Sequence, residues 1–196
     1  MLTMQTVLNQ LTGDEIYDSL IQLMTENFSD FGECQKKYEE TMQVLALKLG
    51  DNAIASVRNA IRKQTVSNLL FSGVLGIKAN FDNFVNPLTR NFLDVDFEIY
   101  LRENTARNLP DYVQAQYELD QFYAQLSPEQ CILYENIVAF ISYLESVGPK
   151  LAHYYGYLLG NELLPRVVPG YHSDTTLTAR YRMMLRTFFE SNIDLG

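Results

Sequence analysis

Histidine, tyrosine and arginine supply the acid, base and anion-clamp chemistry available to this chain, and they gather toward its end. His153, Tyr154, Tyr155 and Tyr157 stand close together, His172 follows in a stretch marked by proline and glycine, and Arg180 lies just beyond. A histidine here could act as general base, a tyrosine as proton donor, and the arginine fork as an oxyanion clamp. His153, Tyr157, His172 and Arg180 are therefore the candidate binding residues. The competing reading is a tyrosine-rich core wall with a histidine at its edge. A buried tyrosine brings a large apolar ring and one hydroxyl in need of a partner, and no spacing brings the two histidines together. The core-wall reading is the stronger, and no residue is assigned a catalytic role.

Metal and cofactor chemistry find little footing. A carboxylate-bridged di-metal bundle needs glutamate three residues before histidine, but Lys150 and Pro169 hold those positions. The residues 73–76, Gly-Val-Leu-Gly, lack the spacing and preceding strand of a phosphate-binding loop. No Gly-x-Ser-x-Gly elbow occurs either. Cys34 and Cys131 are the only cysteines, too few for a disulfide framework or a thiolate metal site. The expectation is a chain with no metal and no cofactor.

The most physical signal is a series of small residues. Gly148, Ala152, Gly156 and Gly160 recur at every fourth position, which aligns them along one stripe of a helix. Ser72 and Gly76 form a shorter version upstream. Each glycine inside a helix costs roughly 1 kcal/mol relative to alanine, so the missing side chains must allow something else. Close approach of two helices is the favoured reading; a groove for a ligand or a partner helix is the alternative.

The elements that must position these residues read as helices throughout. Thr12 and Glu15 form a possible capping box before Ile16, Leu20, Leu23, Met24 and Phe28. Tyr38, Met42, Leu45 and Leu49 predict a second helix from about Asp30, with Gly50 as its stop. Asp51 is placed to cap a long third helix reaching Phe84, before Pro87. Residues 86–109 are less regular, with Asp94 a possible cap, and Pro110 suits the first turn of a further helix. Ser127-Pro128-Glu129-Gln130 is the clearest start signal, and Gly148-Pro149 is expected to kink or break the helix that follows. The pattern resumes to about Leu164, a loop spans Pro165, Pro169 and Gly170, and Leu177, Tyr181, Met184, Leu185 and Phe188 mark a last helix. The expected architecture is all-α, a multi-helix bundle forming a single domain over 1–196. Parallel events in 30–90 and 110–170 suggest an internal repeat, which would make two helical hairpins related by an approximate two-fold axis.

Charge and composition bound the partners. The chain of 196 residues carries a net charge of −9 and is 47% hydrophobic, so it can build a core and repels nucleic acid in general. Residues 91–148 hold ten acidic and two basic side chains, whereas 58–90 hold one and five. This alternation suggests acidic outer helices packed beside less acidic inner ones. Arg58, Arg62 and Lys63, like Arg180, Arg182 and Arg186, could contact phosphate, yet in an acidic chain they more readily pair with its own carboxylates. The longest uncharged run, 64–77, is shorter than the roughly 20 residues of a membrane span, so no membrane partner is expected. The first residues carry no basic, signal-like region, and a cytoplasmic location is the expectation.

With no catalytic motif, the leading expectation is a non-catalytic helical protein acting through protein–protein contact, first with a second copy of itself. The alternative is a binding protein or enzyme of unfamiliar type, with a pocket at His153, Tyr157, His172 and Arg180.

Overall fold

The computed structural model describes residues 13–86, 101 and 106–189. Among the described residues the helices are α1 (Gly13–Asn27), α2 (Ser29–Leu49), α3 (Asp51–Val85), α4 (Pro110–Tyr123), α5 (Pro128–Val167) and α6 (Thr175–Phe188). A single 3₁₀ turn, Ala106–Asn108, precedes α4. Among the described residues there is no strand, and the fold is an all-α multi-helix bundle.

Local chemistry accounts for most helix ends. Gly50 closes α2 at φ +89°, a backbone angle L side chains rarely adopt, and its amide donates to the Ala46 carbonyl at 2.8 Å. Asp51 is the first residue of α3 rather than its cap, since the Ile54 amide points back to the Gly50 carbonyl. Pro110 sits in the first turn of α4, where an amide hydrogen would have no helical acceptor. At the start of α5 the reciprocal box forms. The Ser127 amide donates to Gln130 Oε1 at 2.7 Å and the Gln130 amide to Ser127 Oγ at 3.4 Å. Asp174 caps α6, its Oδ1 accepting from the Leu177 amide at 2.9 Å. Thr12 and Asp94 lie outside the described residues.

The expected break is absent: helix α5 runs for 40 residues through Pro149, and Pro165 lies in its last turn rather than in a loop. Proline removes one helical hydrogen bond, a loss of about 3 kcal/mol in a helix interior. The turns flanking Pro149 bury Val147, Lys150 and Leu151, and that packing holds the helical path.

Contacts group the chain into two compact units, and both long helices supply residues to each. The first comprises 13–68 and 107–147 of the described residues. Its core is built from the predicted stripes: Leu20 and Met24 of α1, Tyr38, Met42 and Leu45 of α2, and Ile54, Val57 and Ile61 of α3 are all buried. Phe140 of α5 centres it, stacked on Tyr38 at 4.1 Å between ring centroids and on Phe31 at 5.7 Å.

The second unit comprises 69–86, 101, 106 and 148–189 of the described residues. It contains the small-residue stripe and the tyrosine cluster. A Cβ on Gly76 would lie 2.0 Å from the His153 carbonyl oxygen, and one on Gly156 would lie 1.9 Å from that of Gly73. Real Cβ atoms essentially never stand so close, so α3 and α5 cross here backbone against backbone.

Candidate functional site

The four residues proposed as a pocket fall into three places. His153 and Tyr157, 0% and 1% exposed, lie inside the second unit, where both meet Tyr181 of α6. His153 Nδ1 and the Tyr181 hydroxyl share a hydrogen bond of 2.7 Å. Burial favours the neutral imidazole and pushes its pKa down to about 3. Burial likewise holds the Tyr157 phenol well above its ordinary range. His172 is exposed in the loop before α6, its ring edge-on to that of Phe84 with centroids 5.5 Å apart. Arg180 is exposed on the outer face of α6, beside Met183 and Thr187.

Tyr181 is the hub that the sequence did not single out. Its ring meets Tyr154 edge-on at 5.0 Å, in addition to His153 and Tyr157, and Arg182 Nε donates to the Tyr154 hydroxyl at 3.2 Å. This is the core wall of the competing reading. A second polar knot holds the loop: Asn80 Nδ2 donates to the Tyr157 carbonyl at 2.7 Å and to Asn161 Oδ1 at 2.9 Å. The Tyr171 hydroxyl lies 2.6 Å from Asn80 Oδ1 and 2.8 Å from Asn161 Oδ1, close enough to donate to either.

Of the small residues, Gly76 and Gly156 make the crossing itself, with Gly73 as the unforeseen partner of Gly156. A Cβ on Gly160 would meet the Asn80 side chain at 2.9 Å. Ala152 stands at the same crossing, its carbonyl 3.7 Å from where Gly73 would carry a Cβ, while Ser72 and Gly148 are buried nearby in sequence.

The arginines of α3 pair with the chain's own acids. Arg58 forms a fork on Glu39, with bonds of 2.9 and 2.6 Å, and its guanidinium lies 5.5 Å from the Tyr38 ring centre. Arg62 bonds Asp18 at 3.0 Å and lies 5.0 Å from the Tyr17 ring centre. Together they line a cleft of about 550 Å³. The carboxylates already answer the guanidinium charges, so the cleft has little net attraction for an anion.

A groove of about 1030 Å³ lies between α4 and the first half of α5, within the first unit. One wall presents Val113, Tyr117 and Tyr123, and the other Ile132 and Val138, all substantially exposed. Asp120, Glu135 and Glu145 supply negative charge and Arg107 a positive one. Gln64 lines the groove from α3, 3% exposed. Its Nε2 donates to Gln116 Oε1 at 2.8 Å, and Gln116 in turn donates to Asp120 Oδ1. Among the described residues no donor reaches the buried Gln64 Oε1. Tyr112 donates to Glu145 Oε1 at 2.6 Å, and burial pushes its phenol up to about 12.

Pattern reading passed over this groove because its exposed apolar residues lie beside, not on, the buried stripes. The available signal was a second apolar set on α4 and α5, off the face carrying Leu119, Phe122, Ile137 and Phe140. Among the described residues no cluster of three metal-ligating side chains occurs, and no helix is long and apolar enough to cross a membrane. No family model matches the chain, and neither the curated proteins nor the solved structures contain a match to it.

Proposed function

We propose that this chain is a non-catalytic helical protein that acts through protein–protein interaction, with self-association as its first mode, and that the α4–α5 groove is the docking surface. The observation that carries this reading is the concentration of exposed apolar side chains there: Val113, Tyr117, Tyr123, Ile132 and Val138 line one continuous feature. Single exposed apolar residues are ordinary on a protein surface, whereas a contiguous set rimmed by polar groups marks a contact site. Tyrosine also suits interfaces, since its rigid ring covers area at small entropic cost and its hydroxyl stays satisfied.

A catalytic reading has less support. His153 and Tyr157 are sealed inside a core, and His172 and Arg180 lie on the surface away from that interior. The test is light scattering of the full chain from about 1 to 100 μM. A mass that rises with concentration, and falls back to one chain in Ile132→Asp and Tyr117→Ser, supports the proposal. A constant single-chain mass, or association indifferent to both substitutions, overturns it.

A further inference from the structure

The charge of the groove selects its occupant. Helix α4 carries Asp111, Glu118 and Asp120, and the first half of α5 carries Glu129, Glu135 and Glu145; neither stretch holds a lysine or arginine. Helix α6 is the reverse, with Arg180, Arg182 and Arg186 and no acidic residue. Its outer face is also partly apolar: Met183 is 66% exposed between the exposed Arg180 and Arg186. Arg180, Met183 and Thr187 follow one another at helical spacing and border a common surface hollow.

We propose that the groove receives α6 of a second copy, with Met183 set among the apolar side chains of the two walls and Arg180 and Arg186 facing the acidic rim. This rests on the reading of the groove as a docking surface and adds its partner. The pairing follows the helix-in-groove mode, in which an apolar stripe gives the contact and flanking charges fix the register. Each copy bears one groove and one α6, so the contact joins unlike patches. Two copies that satisfy both at once make a closed pair, and copies that satisfy one leave the other for a third.

The experiment is charge exchange, read by light scattering on full-length chains whose helicity is checked by circular dichroism. One variant reverses the helix (R180E/R186E) and a second reverses the rim (D120R/E135R); all four positions are exposed. Each variant alone is expected to associate at least ~10-fold more weakly than the original chain, and an equimolar mixture to recover association, because each then meets its complement. Raising salt from about 0.05 to about 0.5 M weakens association of the original chain by a similar factor, since rim charges are screened. If R180E/R186E associates as the original chain does while Ile132→Asp does not, the groove is a docking site but α6 is not its occupant. If the original chain is monomeric throughout, both this inference and the docking reading fall.

Discussion

Gly156 and Gly73 meet with so little space between them that a single methyl group on Gly156 would overlap the Gly73 carbonyl. The contact is between main chains, so no rotamer change can make room. Gly156→Ala is therefore expected to cost about 3 kcal/mol or more, as overpacking does when backbone itself must shift. Gly76→Ala should behave alike, because its Cβ would meet the His153 carbonyl. Gly32 is the internal control: it lies within α2, a methyl added there would find nothing within 4 Å, and alanine is the better helix former. Gly32→Ala should stabilise by roughly 0.5–1 kcal/mol. Urea unfolding followed by circular dichroism separates the two signs.

The buried imidazole makes stability depend on pH. The folded-state pKa of His153, about 3, lies below the ordinary value of 6.5, so the unfolded chain takes up the proton first. Its contribution is complete above pH 6.5 and declines as pH falls through the window down to about 3, by about 1.4 kcal/mol per pH unit. Carboxylates titrate over part of the same range, so the comparison is with His153→Gln, which keeps a polar partner for Tyr181 but has no proton to gain. The variant should be less stable at about pH 7.5, with the gap to the original chain closing as the solution is acidified. A gap independent of pH between about 4 and 7 would contradict this assignment.

The cap of α6 gives a local prediction. Asp174 holds the Leu177 amide with its side chain and the Thr178 amide with its carbonyl. Asp174→Ala should cost about 1 kcal/mol, because the side-chain acceptor is lost. Hydrogen exchange should show faster exchange at Leu177 while the amides of α2 keep their protection.

Cys131 offers a reporter that needs no substitution in the groove. It lines the α4–α5 groove and, like Cys34, is partly exposed, so Cys34 is removed to leave a single reporting thiol. In a Cys34→Ser chain, modification of Cys131 by a thiol reagent should slow as protein concentration rises through the range of association. A rate independent of concentration, in a chain that does associate, would place the contact elsewhere.

Much of the fold was legible because helix ends are written in local chemistry. The reciprocal pair Ser127 and Gln130, the positive φ of Gly50 and the first-turn Pro110 all depend on neighbours within a few positions. The break expected at Pro149 did not appear, since burial of Val147 and Leu151 is a tertiary matter that a dipeptide does not disclose. The small-residue stripe announced a close approach but not its partner, so Gly73 and Asn80 were passed over. The candidate pocket shows the same boundary. His153 and Tyr157 meet through Tyr181, 28 and 24 residues further along, while His172 and Arg180, nearer in sequence, do not join them.

The two compact units are interleaved along the chain: of the described residues, one takes 69–86, 101, 106 and 148–189 and the other 13–68 and 107–147. Neither is therefore a continuous stretch of polypeptide, and no truncation from either end isolates one of them. No single cut of the gene yields either unit by itself.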